Sequence, residues 1–418
     1  MLKWFLCGVA ALLLFPLSSS GYSVLTHQAN IDSTWKKCLL PLLQSRYPGA
    51  TPEQLREAKS YAYGGAIIQD MGFYPFGSTL FTNLTHYVRS GDFVRNLLEE
   101  AQDRNEFAFA LGALGHYAAD ISGHPEGTNK AMASVYPELA AKFGKVITYD
   151  EAPKQHTQLE FAFDVVQVAA GRYRTEDYHS YIGFQVSKPV LERAFEKTYG
   201  LKLGQVIVNV DLSISSYRFA VSQLIPTATR AAWQSQRKEI RALSPQVRRR
   251  EFVYAQSPRK YRKEFGSSYD RPGFGARILS LAVRVLPKIG LLKPFAFKLP
   301  TPEAQALFKA SFKQVLTSYC TLLEQVKPGT TPRLANTDFD TGHQTKAGEY
   351  PLADRTYGEW LRKLSKAKFE GISAPLKQNI LAFYSDAPKQ PLDEEEKEAS
   401  TIKETQQALA ELKALPVR

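Results

Sequence analysis

The sequence predicts an all-α protein, and three features carry that expectation. Apolar residues recur at helical spacing through the first 170 residues, helix-start signals precede such stretches, and alternating β-branched runs are scarce. Leu39-Leu40, Leu42-Leu43 and Tyr47 fit one amphipathic helix ended by Pro48-Gly49. Thr51-Pro52-Glu53 reads as a helix start, with Pro early and an acid in the first turn. Val88 to Ala101 and Glu106 to Ile121 repeat the helical period, and residues 303–326 read as another helix. Ile207-Val208-Asn209-Val210 is the clearest short run that alternates as a strand would. From 391 a charged tail, with Asp393-Glu394-Glu395-Glu396 at its head, opens a final helix expected to be solvated.

At 418 residues the chain is long enough for one large domain or two ordinary ones, and 44% apolar content excludes wholesale disorder. Residues 1–21 read as a signal peptide. Lys3 supplies a positive start, Trp4 to Leu17 an apolar run, and Ser19 and Gly21 the small residues before a cut after Gly21. An uncleaved membrane anchor is the alternative, but the run is short for a spanning helix. Export leaves Cys38 and Cys320, either paired as one disulfide or present as two buried thiols. A secreted or periplasmic location is expected.

Charge divides the chain. Residues 1–170 hold 13 Lys+Arg against 16 Asp+Glu, and residues 171–418 hold 40 against 25, so the net values are −3 and +15. A weakly acidic front and a strongly basic back suggest two jobs, or one site beside a surface that attracts anions. Residues 237–275, with Arg248-Arg249-Arg250 and several Gly and Pro, read as a basic connector. It leads into an apolar helix, Ala276 to Leu286, and a segment rich in Pro and Lys, Pro287 to Pro300.

Six of the seven histidines lie between positions 27 and 179. His116, Asp120 and His124 are spaced by four, which sets them on one helix face. His156 and Glu160 repeat that spacing, with Asp164 one turn on as a rival carboxylate. His86 lies on a third segment, and Asp70 follows the apolar Ala66-Ile67-Ile68. Imidazoles and carboxylates are the ligands zinc prefers, and an i,i+4 pair lets one helix offer two to a single ion. A lone His with an acid four residues away is usually a solvated pair; several such pairs in one short stretch point to metal. His179 and His343 match no such pattern and read as ordinary polar residues.

Four pieces of the chain resemble the zinc-dependent phospholipase C/D family, which includes bacterial phospholipase C and the amino-terminal domain of glycosylphosphatidylinositol-specific phospholipase D. The fungal single-strand zinc nucleases are more distant members. The pieces are Tyr22-Ser23-Val24-Leu25-Thr26-His27; Tyr63 to Asp70 leading to Phe73-Tyr74-Pro75; Gly115 to Asp120 with His124; and His156-Thr157-Gln158-Leu159-Glu160. The resemblance covers about Tyr22 to Val168 and implies an all-helical catalytic core over 22–170, followed by a basic, mostly helical region over 171–418 of no assigned role.

The resemblance also implies three zinc ions. Asp70, His86, His116 and Asp120 would hold one, and His124, His156 and Glu160 the second. His27, a bridging Asp120, and the amine and carbonyl of Tyr22 as the mature first residue would hold the third. Asp70 would in addition orient the attacking water or accept its proton. Tyr22 replaces the tryptophan of the bacterial lipase and the nucleases, a change of little weight where backbone atoms bind. The His-x3-Asp-x3-His spacing follows the phospholipase D-like branch; bacterial phospholipase C has two more residues before its last histidine, the position matched here by His124.

The implied activity is hydrolysis of phospholipid-type phosphate esters by a metal-bound hydroxide, with the basic back half offering a surface to an anionic membrane. Two other readings stand beside it. A zinc nuclease suits the basic half and its many aromatic residues, although His-x3-Glu in place of His-x3-Asp weighs against it. A non-catalytic, zinc-stabilised binding protein is the third.

Overall fold

The computed structural model describes residues 22–170, 173, 184–219, 221, 233, 237–243, 245, 248, 297–327, 329–385 and 396–416. Among these the chain is helical throughout, with no sheet and two isolated bridges. The front holds α1 (Val24–Thr34), α2 (Leu40–Arg46), α3 (Pro52–Gly65), α4 (Thr79–Tyr87), α5 (Ser90–Glu100) and α6 (Arg104–Gly123). Then come α7 (Asn129–Val135), α8 (Pro137–Phe143), α9 (Pro153–Ala169), α10 (Lys188–Tyr199), α11 (Leu203–Val206), α12 (Val210–Phe219) and α13 (Arg237–Leu243). The last are α14 (Pro302–Gln325), α15 (Pro351–Lys366), α16 (Ala374–Ser385) and α17 (Glu396–Ala414). The signal segment, His179, the helix expected over 276–286 and most of the basic connector lie outside the described residues.

Local signals explain most boundaries. Thr51 caps α3 in a reciprocal capping box with Gln54, and Pro52 takes the first turn. Asp103 caps α6 by accepting from Asn105 N and Glu106 N. The run Ile207 to Val210 is not a strand: Ile207, Val208 and Asn209 connect α11 to α12, and Val210 opens α12. Its alternation reflects burial of Ile207 and Val210 around an exposed Val208, and Asn209 Oδ1 accepts from Leu212 N to start α12. The final helix is not fully solvated either. Ala408 and Leu412 on α17 are buried, and Arg362 and Ser365 of α15 hydrogen-bond Thr405 and Glu411.

Helix α6 is the axis of the molecule, buried along nearly its whole length. It meets α3 at backbone distance: a Cβ on Gly112 would stand 2.0 Å from Ala62 O, and one on Gly65 would stand 1.9 Å from Phe109 O. No side chain fits between these helices. Gly112→Ala is therefore expected to cost about 3 kcal/mol through overpacking and to lower Tm by several degrees. An unchanged thermal melt would show that the two helices can part freely.

The back half packs directly on this axis. Tyr319 of α14 lies against Gly115 and donates to Leu111 O at 2.7 Å. A disulfide, Cys38–Cys320, joins α14 to the wide turn after α1. Between α14 and α15, residues 329–350 form a strap along α4, α5 and α6. Phe339 N donates to His86 O at 3.2 Å, Ser90 Oγ to Thr337 O at 2.6 Å, and Tyr117 Oη to Ala335 O at 3.0 Å. Gly342 (φ 75°) turns the strap where a Cβ would strike Ile121 O and Pro125.

Asp92 fastens the strap to α5. Its Oδ2 accepts from Arg89 Nε and Nη2 at 2.9 and 2.7 Å and from Asn336 Nδ2 at 3.1 Å, while Arg95 Nη2 stands 2.8 Å from Oδ1. Burial alone would raise this carboxyl, but Arg89, Asn336 and Arg95 together hold it below the usual range. A depressed folded-state pKa adds stability that is present above the unfolded value and lost as pH falls through the folded one. Asp92→Asn is expected to be about 2 kcal/mol less stable at pH 7. The gap should close under acid, read as denaturant midpoints against pH. A gap that stays constant with pH would contradict this account.

Candidate metal centre

Asp120 is the hub of the site. It sits on α6, fully buried, and four imidazoles from three helices and a turn surround its carboxylate. His27 Nε2 (α1) lies 3.4 Å from Oδ1. His116 Nε2 (α6), His86 Nε2 (α4) and His124 Nε2 (the wide turn after α6) lie 3.1, 3.6 and 3.7 Å from Oδ2. His86 Nε2 is also 3.4 Å from Asp70 Oδ1 and 3.3 Å from His116 Nε2. Asp70 comes from the tight helical turn Ile68–Phe73 that follows α3.

These atoms fall into three buried groups: His27, His116 and Asp120; Asp70, His86 and His116; and His124, His156 and Asp340. The residues fit zinc on two observations. First, atoms that each bind one zinc at 2.0–2.1 Å in tetrahedral array lie about 3.3 Å apart, and the separations around Asp120 and Asp70 cluster at that value. Second, both oxygens of Asp70 and of Asp120, both ring nitrogens of His27, and His124 Nε2 lack a hydrogen-bond partner. Among the described residues no Lys or Arg pairs with Asp70, Asp120 or Asp340, and buried carboxylates without counter-charge are costly.

The second layer selects the ring atom that faces inward. His116 Nδ1 lies 2.9 Å from Ala66 O, and His86 Nδ1 lies 2.9 Å from Thr82 O. A carbonyl can only accept, so each Nδ1 carries a proton and each Nε2 is the atom left to face the cluster. The close crossing of α3 and α6 delivers Ala66 to His116.

Electrostatics agrees with the geometry. Burial, then the neighbouring His116, holds His27 well below the ordinary imidazole range, and burial with His124 brings His156 down to about 3. Burial would raise Asp120, but His116 and His27 outweigh it and keep the carboxylate well below its usual range. Burial opposes protonation of His116 and His124 too, yet Asp120 raises the first, and Asp120 with Asp340 raises the second well above normal. A bound metal would displace protons from these two imidazoles.

Each expected ligand has a definite place. His27, Asp70, His86, His116, Asp120, His124 and His156 gather in the three groups. Glu160 lies beside His156, with Oε1 2.7 Å from Nδ1, and is in none of the groups. The described contacts of Tyr22 are made by its ring and hydroxyl: the ring packs against Phe308, and Oη lies 2.5 Å from Ser311 Oγ. Asp164, the rival carboxylate, is in none of the groups. It accepts from Leu25 N at 3.0 Å and Thr26 Oγ1 at 2.7 Å, so it anchors the start of α1. Burial pushes it up to about 6 despite those bonds. His343 is exposed on the strap. Asp340 was not expected at all; it lies between Asp338 and Gly342 in a stretch without helical period.

Buried imidazoles and carboxylates, converging from separate helices on one hub, define a helical protein with three buried groups that could each hold a metal ion. Residues 26–206 match the family described as zinc dependent phospholipase C, so the chain carries a domain of that family. No curated protein and no solved structure matches the chain.

Proposed function

We propose that the chain is an exported zinc-dependent phosphodiesterase acting on phospholipid-type phosphate esters. The arrangement of Asp120 among four imidazoles supports this reading most directly, because one carboxylate with a separate His set at each oxygen suits adjacent cations. His27, Asp70, His86, His116, Asp120, His124 and His156 would hold the ions, and the amine of Tyr22 would join them after cleavage behind Gly21. Adjacent zinc ions activate water near neutral pH and neutralise charge on a phosphoryl group. Asp70 would orient that water or accept its proton, and the bonds from Nδ1 of His86 and His116 to backbone carbonyls would keep both imidazoles aligned. The disulfide supports passage through an oxidising compartment.

A non-catalytic, zinc-stabilised binding protein is the second reading. It draws support from the complete burial of the ligand side chains beneath the strap, since structural zinc sites are closed. No described helix is long and apolar enough to cross a membrane. The deciding experiment expresses the full chain, sequences the mature amino terminus, counts zinc, and assays phosphatidylcholine, a glycosylphosphatidylinositol and single-stranded DNA together. The expected result is a start at Tyr22, bound zinc and lipid cleavage. Cleavage of DNA alone would replace the substrate class; zinc with no cleavage would favour the second reading.

A further inference from the structure

Asp340 lies 134 residues beyond the end of the matched domain at 206, on the strap between α14 and α15. It is fully buried. Its Oδ2 accepts from Tyr149 N at 2.8 Å and Tyr350 Oη at 2.6 Å, which turns Oδ1 towards the imidazoles. Oδ1 stands 3.1 Å from His124 Nδ1 and 3.9 Å from His156 Nε2. Asn129 lies between them, with Nδ2 3.1 Å from Asp340 Oδ1 and Oδ1 2.7 Å from His156 Nε2. Glu160 occupies the other side of the ring, at His156 Nδ1. An imidazole binds a metal through one nitrogen and is oriented through the other, most often by a carboxylate or a carbonyl.

We propose that Asp340 is the carboxylate ligand of the His124–His156 metal site, and that Glu160 is a positioning residue holding His156 from its Nδ1 side. The assignment rests on the zinc reading above. It makes the strap part of the metal centre, because one ligand reaches that site from outside the matched domain. His124, which sits where the helix widens after α6, then has a carboxylate partner on each nitrogen: Asp120 towards Nε2 and Asp340 towards Nδ1.

The test compares full-length wild type with Asp340→Ala, Asp340→Asn and Glu160→Gln. Zinc per chain is measured after dialysis into graded zinc buffers, and absorption bands are recorded after cobalt substitution. Asp340→Asn preserves the volume and the acceptor for Tyr149 and Tyr350, so it carries the comparison if Asp340→Ala does not fold. Asp340→Ala is expected to hold one ion fewer than wild type, and Asp340→Asn to fill that site only at higher free zinc. Glu160→Gln should keep the full count and weaken the site by about 10- to 100-fold, as loss of an outer partner does. Asp340 variants with wild-type count and affinity would overturn the assignment, as would a Glu160→Gln protein that alone loses the ion. Wild-type protein holding no zinc would overturn the metal reading itself, a result distinct from either.

Discussion

Asp120→Ala is expected to lose at least one zinc per chain and about a thousand-fold in phosphodiesterase turnover. That factor corresponds to the several kcal/mol that metal-ion charge stabilisation contributes. The reasoning is geometric: both oxygens of Asp120 face imidazoles, and those oxygens have no other partner. Removing the carboxylate leaves His27, His86, His116 and His124 without the anion they share. His116→Ala should behave similarly, because His116 belongs to two of the three groups. Zinc analysis and turnover on the same preparation settle the matter, and full turnover by either variant would sink the assignment.

The second large effect concerns the disulfide. Cys38 and Cys320 close a loop of sequence separation 282. The chain-entropy model assigns such a loop about 5 kcal/mol at its upper range. The double variant Cys38→Ala with Cys320→Ala is expected to fall in denaturant midpoint by a matching amount. Loosened zinc retention should accompany the fall, since Cys38 follows directly on the helix that carries His27 and Cys320 lies one residue beyond the Tyr319 that seats α6. A midpoint within error of wild type would show that packing of α14 holds the two halves without help.

Much of the helical order, and seven of the side chains in the three buried groups, are legible in the sequence for a physical reason. His116, Asp120 and His124 advertise themselves through a spacing of four, and Thr51-Pro52 through the chemistry of a helix start. Local periodicity conveys local structure, so what depends on distant segments was hidden. Asp340 sits in a polar stretch that resembles any surface loop, and only the strap's bonds to Ser90, Tyr117 and His86 carry it inward. Asp164 and Glu160 share spacing and helix, yet one anchors α1 and the other meets His156. Spacing alone could not separate them. The alternation at Ile207 to Val210 misled for the converse reason, since no strand pairs with it among the described residues and two consecutive positions, Val208 and Asn209, face solvent.

The shared backbone anchors of His86 and His116 have a bearing on how the protein matures. Thr82 O holds the His86 ring from within α4, but Ala66 O reaches the His116 ring only where α3 and α6 cross, so that half of the arrangement cannot assemble before those helices meet. The helices, in turn, bring together acids that nothing but a cation can neutralise. If zinc fills these groups, completion of the interior and capture of metal would be one event, and a cell starved of zinc would accumulate an unfinished chain open to proteases.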